Sequence, residues 1–275
     1  MMSYSEPRID IKPGRLLLVP SPLTDIKSDI KADAKDDGLP NPETILTLPD
    51  LEKVRRLTQF VVENGKRGRA WLKKLGLSPS QLEICVLETQ SGRQLGSDCA
   101  QIKQLLQRML AKGDLGIVSD AGCPCVADPG ALWVEAAHQM GVEVVPLIGP
   151  SSLLMAVMAS GLNGQCFGFF GYLPSDEPDR RERISNLEKL SRQWKQTILL
   201  IETPYRNWAT LQALIKSLSP NTRLSISFDL MGKHQHIQTK NIHEWRHELN
   251  HGLRFGTVEV STEHMKRPMV FSFLA

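Results

Sequence analysis

Short apolar runs alternate with longer stretches in which apolar residues recur every three or four positions. "RLLLVPSPL" (Arg15–Leu23) reads as a buried strand that runs into a Pro-Ser-Pro turn. Leu51, Val54, Leu57 and Val61 have helical spacing, and "QFVVE" then reads as a short strand. "RAWLKKLGL" predicts a helix stopped at Gly76, and "EICVLE" another strand. "CAQIKQLLQRMLAKGD" is amphipathic, with Ile102, Leu105, Leu106, Met109 and Leu110 on one face and a stop at Gly113. Strand "LGIVSD", helix "ALWVEAAHQMG", strand "VEVVPLIG" and helix "SSLLMAVMASG" follow. After Gly161 the pattern restarts: strand "QCFGFFGYLP", a very polar helix over "DEPDRRERISNLEKLSRQWK", strand "QTILLIETP", helix "NWATLQALIKSLS" and strand "RLSISFDLM".

Such alternation predicts a parallel α/β layout. The expected organisation is a disordered tail over 1–13, an N-terminal α/β domain over 14–163 and a C-terminal α/β domain over 164–275. Lys27–Pro42 is charged and rich in turn formers and reads as a mobile surface loop. No internal repeat is visible.

A chain of 275 residues with 41% apolar residues is large enough for one or two packed cores. The net charge of +3 permits a nucleic-acid partner without requiring one. No apolar run approaches the roughly 18 residues of a membrane span. "MMSYSEPRIDIK" has no apolar segment of the secretory kind. Five scattered cysteines suit reduced thiols, so the expected location is the cytoplasm, with no membrane partner.

The chemistry-bearing stretches sit at predicted strand ends. "GIVSDAGCPCVADPG" (Gly116–Gly130) leaves a buried strand and at once turns to small, turn-forming residues. In open α/β sheets ligands settle outside the carboxyl ends of strands. Asp120 is placed to accept from a ribose or an amine, and small residues let a ligand approach the main chain; an ordinary loop with capping Asp residues is the competing reading. "VVPLIGPSSLLMAVMASG" repeats the arrangement, with Ser151 and Ser152 able to cap a helix or bond a ligand. Neither stretch fits a dinucleotide fingerprint or a P-loop. "HEWRH" (His243–His247) matches the zinc-peptidase spacing, but its polar surroundings read as a solvated helix. Cys123 and Cys125 lack a second thiol pair nearby and read as small buried residues, so no metal is expected. "ENGKRGRAWLKK" (Glu63–Lys74) gathers Lys66, Arg67, Arg69, Lys73 and Lys74 on a glycine-bearing loop and the helix after it, a pattern suited to phosphate contact or simply to a solvated face. Trp71 has helical spacing with Leu75 and reads as core more readily than as a base-stacking ring.

Together these segments resemble the tetrapyrrole methylase superfamily of S-adenosylmethionine-dependent (class III) methyltransferases, and within it the small-subunit ribosomal RNA 2′-O-methyltransferase branch. "SDAGCPCVADPG" is similar to that branch's S-D-A-G-T-P-x-x-S-D-P-G, with Cys123 for Thr and Ala127 for Ser. "VVPLIGPSSLLMAVMASGL", "FFGYLP", "IETPYR" and "LLLVPSPLTDI" resemble further motifs of the branch, in order, across most of residues 14–245. The resemblance implies two α/β domains with S-adenosylmethionine in a cleft between them, usually in a homodimer. On the matched positions it implies that Pro22, Asp120, Gly122 and Cys123 bind the donor, together with Ser151, Ser152 and Glu202.

The acceptor-side motifs depart from the branch. A-E-D-T-R-x-T-R-K-L-L has become "VENGKRGRAWLKKL", H-E-H-N-E has become "LETQS", and R-E-L-T-K-x-x-E has become "FDLMGKHQ". The resemblance thus implies a divergent paralogue with a kept donor side and an altered acceptor side. Glu63 and Lys66 are the candidate catalytic residues, followed by Glu88 and Arg206. Arg67, Arg69, Lys73 and Lys74 are the candidate substrate contacts. RNA is the expected acceptor; a tetrapyrrole or other small molecule, or donor binding without catalysis, is the alternative.

Overall fold

The structure is a computed structural model that describes residues 14–23, 39–87, 99–128, 130–251, 254–255, 258–259 and 264–275. The expected N-terminal tail and most of the expected loop over 27–42 lie outside the described residues. Two compact units form. The first comprises residues 1–21 and 40–149, the second residues 22–39 and 150–275. The division therefore falls between Gly149 and Pro150 rather than at 163/164, because the helix that starts at Ser152 packs on the second sheet.

The first unit holds strands β1 (Leu16–Val19), β2 (Gln59–Val62), β3 (Glu83–Val86), β4 (Leu115–Val118) and β5 (Val144–Pro146). Its helices are α1 (Leu48–Arg55), α2 (Gly65–Lys74), α3 (Cys99–Leu110) and α4 (Ala131–Gln139). The strands lie in the order β3-β2-β4-β1-β5, and every pair is parallel. β2 and β4 are buried throughout, which is why they read as continuous apolar runs rather than alternating ones. Gln59 is the polar exception. Its side-chain Nε2 donates to the carbonyls of Met109 (2.8 Å) and Gly113 (2.9 Å), so its buried donor is satisfied by the end of α3 and the turn after it, while its Oε1 is buried without a hydrogen bond. The apolar face of α3 packs with Trp133, Ala136 and Ala137 of α4.

Two boundaries differ from the sequence expectation. α1 ends at Arg55, so Val61 belongs to β2. α2 starts at Gly65, not at Arg69, because the Asn64 side chain accepts from the backbone N–H of both Lys66 and Arg67 and caps the helix there. The basic stretch is therefore mostly helix. Gly76, at φ +92°, closes it.

The second unit holds α5 (Ser152–Ser160), β6 (Phe167–Phe169), α6 (Glu177–Trp194), β7 (Thr197–Glu202), α7 (Asn207–Ser217), β8 (Arg223–Phe228) and β9 (His236–Asn241). α8 (Ile242–His251), the short pair β10 (Arg254–Phe255) and β11 (Val258–Glu259), and β12 (Met269–Leu274) complete it. The sheet order is β6-β7-β12-β8-β9. Only β6 and β7 run parallel; β12 is antiparallel to both β7 and β8, and β8 to β9. The parallel layout expected from alternation therefore holds for the first sheet and not for the second.

β12 alternates strictly. Met269, Phe271 and Phe273 enter the core under α6, α7 and α8, while Val270 faces α5. Ser225, Ser227 and Ser272 are buried among these strands, and α5 brings Ala156 and Ser160 to its own buried side. Small side chains on both surfaces let that helix approach closely. No helix among the described residues is long and apolar enough to cross a membrane.

Gly116 is a close-packed point of the first sheet's core. A Cβ there would lie 2.7 Å from the Phe60 ring and 3.0 Å from Leu57. Gly116→Val is expected to lower stability by roughly 1–3 kcal/mol through overpacking, measured by urea unfolding. An unchanged midpoint would show that the Phe60 ring moves aside freely.

Candidate active site

Four strand ends of the first unit point the same way, since its sheet is wholly parallel. β1 delivers Pro20 and Ser21, β2 delivers Glu63 and Asn64, β4 delivers Ser119 and Asp120, and β5 leads to Gly149. Ser21 and Gly122 exchange both backbone hydrogen bonds, N–H to carbonyl at 2.9 and 3.1 Å. The Ser21 hydroxyl donates to the Ser119 carbonyl at 2.7 Å, and the Ser119 hydroxyl to the Gly122 carbonyl at 3.0 Å. The loop after β4 is thereby stitched to the end of β1. Trp71 is 2% exposed and its indole N–H donates to the Pro20 carbonyl at 3.1 Å, so this ring is core, as its spacing predicted.

Within the loop, Gly122, Cys125 and Ala127 all take positive φ, of 71°, 69° and 58°. For Cys and Ala this conformation is costly and persists only where surrounding contacts impose it, which is typical of functional loops. A Cβ on Gly149 would lie 2.2 Å from Pro20 Cβ, and one on Gly130 would lie 2.7 Å from Cys125 Sγ. Both glycines are therefore required by close approach. Burial raises the Cys123 thiol, and burial together with Asp128 raises Cys125 to about 11. Both are neutral thiols at physiological pH, which suits packing rather than nucleophilic or metal chemistry.

Acidic groups converge beside the loop. The Asp120 N–H donates to Glu63 Oε2 at 3.1 Å, the Asn64 N–H to Asp120 Oδ1 at 3.1 Å, and Arg67 forms an ion pair with Asp120 Oδ2 at 3.2 Å. Asp128 hydrogen-bonds Glu63, and its carboxyl is pushed up to about 7 by burial first and then by the charges of Glu63 and Asp120. Asp128 and Glu63 therefore share one proton below about pH 7 and release it as the pH rises through that value. Asp128 was missed by sequence reasoning. The signal was a second Asp in the same loop, which reads as a cap until the fold brings it back onto β2's end.

The other predicted residues fall as follows. Lys66 and Arg69 are exposed on α2, and Arg69 Nη1 donates to the Gly65 carbonyl at 3.0 Å. Lys73 and Lys74 lie in the last turn of α2, two turns from Arg67, whose side chain pairs with Asp120. Glu88 lies outside the described residues. Pro22, Ser151, Ser152, Glu202 and Arg206 belong to the second unit. Ser151 caps α5, its hydroxyl accepting from the Leu154 N–H at 3.5 Å. The buried Glu202 carboxylate accepts from the Thr203 N–H, from the Thr210 hydroxyl (2.9 Å) and from Arg206 (3.3 Å). Arg206 also donates to the carbonyls of Leu173 (2.8 Å) and Pro174 (3.2 Å). The contacts of this pair clamp two loops of the second unit together. In the "HEWRH" segment, Glu244 accepts from the Asn241 N–H at the start of α8, and His243 and His247 are exposed.

No family model matches the sequence. A curated relative from Thermotoga maritima, named ribosomal RNA small subunit methyltransferase I, is 30% identical over 171 residues, covering 62% of this chain and 71% of that one. This chain belongs to the ribosomal RNA small subunit methyltransferase I family. Relatives of the same name from Vibrio cholerae (34% identical over 134 residues) and Synechocystis (31% over 155) are matched over 49% and 56% of this chain. The chain spans about half the length of these two relatives, 45% and 52%. Among solved structures, the methyltransferase CobJ (TM-score 0.51, 14% identity) is covered over 93% of its chain and 94% of this one. The cobalt precorrin-4 methyltransferase CbiF (TM-score 0.51, 12% identity) is covered over 90%, and this chain over 84%. At such identities these two likenesses establish the fold.

A raised carboxyl pKa makes stability fall as pH rises. Between the ordinary carboxyl range and about 7 the folded state holds a proton on Asp128 that the unfolded chain has released. Asp128→Asn removes that dependence. Its melting temperature relative to wild type is expected to climb between pH 5 and pH 8, read by thermal denaturation across the range. Parallel pH curves for the two proteins would contradict the proton-sharing pair.

Proposed function

We propose that this chain is an S-adenosylmethionine-dependent methyltransferase that acts on RNA, transferring the methyl group to a ribose 2′-hydroxyl. The observation that carries the reading is the loop after β4. Its left-handed Gly122, Cys125 and Ala127 stand at the carboxyl end of a central parallel strand, in a chain whose relatives bear the name of ribosomal RNA methyltransferases. Five cysteines scattered along the chain suit a reducing cytoplasm. Leu154 and Met158, one turn apart on α5 and 52% and 82% exposed, suit a homodimer.

The residues at the first unit's strand ends fit the donor's chemistry. Asp120 offers a carboxylate, Gly122 and Cys123 put no bulky side chain beside it, and the Ser21–Gly122 stitch holds the loop in place. When bound, S-adenosylmethionine supplies an activated methyl group on a sulfonium. Arg67 and the Asn64 N–H fix Asp120 in one orientation, and its carboxylate is the acceptor that suits a ribose diol. The Glu63–Asp128 pair, whose shared proton leaves near pH 7, accepts a proton from a hydroxyl in reach once that proton has gone. Lys66, exposed at the start of α2, adds positive charge near a developing alkoxide.

Incubation with methyl-labelled S-adenosylmethionine and either small-subunit RNA or a small-metabolite extract tests the reading. Label is expected in RNA. Label in the metabolite fraction favours a small-molecule methylase, and calorimetric donor binding with no label in either favours a protein that binds without catalysis. Donor at about 100 times Kd is expected to raise stability by about 2.7 kcal/mol. Glu63→Gln is expected to slow transfer by roughly 10²–10⁴-fold. Unchanged turnover in that variant would remove Glu63 as the proton acceptor.

A further inference from the structure

The second unit carries a surface that the proposed methyl transfer leaves unused. α6, α7 and α8 pack on one face of its sheet through Ile184, Leu187, Leu211, Leu214, Ile242 and Trp245. α5 lies on the other face, over Leu199 and Val270. Beside the three helices is a cavity of about 550 Å³. Four cations line it: Arg180, Arg181, Lys216 and Arg246. The one carboxylate in its wall, Glu177, is spent on an exposed ion pair with Arg181 at 3.0 Å. Arg246 is held in place by the end of α7, donating to the carbonyls of Ile215 (3.0 Å) and Leu218 (2.7 Å). Ala213 and Leu249 add apolar wall.

Ala209, also in that wall, immediately follows an exposed aromatic. Trp208 is 41% exposed, and Tyr205, just before α7, is 82% exposed. Tyr172, 53% exposed, stands on the neighbouring loop, which the Ile201 N–H to Gly171 carbonyl bond (3.1 Å) aligns with the end of β7. The two loops are rigidly joined. The Pro174 carbonyl accepts from Arg206 at 3.2 Å and from Arg180 at 3.4 Å, so one arginine ties it to the aromatic loop and the other to the rim of the cavity. Rings this exposed contribute little to the core. Held beside an excess of fixed cations, they form the combination that binds single strands: ring faces for bases and positive charge for phosphates.

We propose that this edge of the second unit binds a single-stranded RNA segment, its bases stacked on Tyr205 and Trp208 and its phosphates drawn to the arginine-lined cavity. The proposal rests on RNA being the acceptor class. A duplex hides its base faces.

The experiment is a fluorescence-anisotropy titration of a labelled, unstructured RNA of roughly 12 nucleotides, run over a salt series on the full chain. Wild type is compared with Tyr205→Ala/Trp208→Ala and with Arg181→Ala/Lys216→Ala, and thermal melts confirm that each variant is folded. The aromatic variant is expected to bind roughly tenfold or more weakly with an unchanged salt slope. The charge variant is expected to lose about 1.4 from the slope of log K against log salt, the release of two phosphates' counterions on a single strand. Binding by both variants at the wild-type level overturns the proposal, whether or not the protein methylates RNA. Weakening confined to the charge variant also overturns it, because a simple anion site gives that result. Variant-sensitive RNA binding in a protein that methylates no RNA upholds this surface and removes the catalytic reading alone.

Discussion

The two backbone hydrogen bonds exchanged by Ser21 and Gly122 fix the first unit's candidate site. They join the chain leaving β1 to the chain leaving β4, neighbouring strands whose exits would otherwise be separate loops. Once that stitch exists, the loop after β4 must turn within a few residues, and its backbone enters the left-handed region at Gly122 and again at Cys125 and Ala127. Small side chains follow from that geometry. Anything bulkier at Gly149 meets Pro20, and anything at Gly130 meets Cys125. The composition of Gly116–Gly130 is thus a steric consequence of closing two strand ends against each other while keeping the main chain approachable.

Electrostatics follows from the same convergence. A parallel sheet sends all its strand exits to one side, so carboxylates from β2, β4 and the loop meet although they lie far apart in sequence. Asp120, Glu63 and Asp128 cannot all remain ionised in partly buried surroundings. The structure resolves this in two ways. Arg67 and the Asn64 N–H neutralise Asp120, and Asp128 keeps a proton shared with Glu63. One carboxylate is held charged and oriented, while the other two form a pair poised near neutral pH.

Legibility in the sequence was greatest where one physical cause acts locally. The central strands β1, β2 and β4 were visible because burial on both faces makes each a run of apolar residues, and the edge strands β3 and β5, though only partly buried, keep short apolar runs of the same kind. The loop after β4 was visible because a dozen small, turn-forming residues directly after such a run mark a backbone that turns at close quarters. The second sheet was harder to read. β12 comes from the end of the chain and inserts between β7 and β8, a pairing that no local periodicity announces. β9, "HIQTKN", is half-buried along its length and too polar to stand out. The start of α2 was misplaced because Gly65 and Gly68 suggest a loop. Gly68 is instead demanded by Val62, which would lie 2.6 Å from its Cβ, and Asn64 supplies the cap.

The pattern also explains why candidate residues separated into different roles. Glu202 and Arg206 were singled out because they fall on "IETPYR", a stretch that resembles one of the branch's motifs. Their surroundings use them up: a carboxylate with no side-chain exposure must be fully partnered, and Thr203, Thr210 and Arg206 partner it. What the clamp leaves at the surface is the pair of residues beside it in sequence, Tyr205 and Trp208, which the fold neither buries nor needs for its core. At the corresponding end of the first unit the opposite holds. Trp71 is buried and tethered to Pro20, while the polar groups around Asp120 stay partly open. In each unit the strand ends are stiffened by one buried anchor, an indole in the first and an ion pair in the second. The chemistry left exposed is the complement of the anchor used.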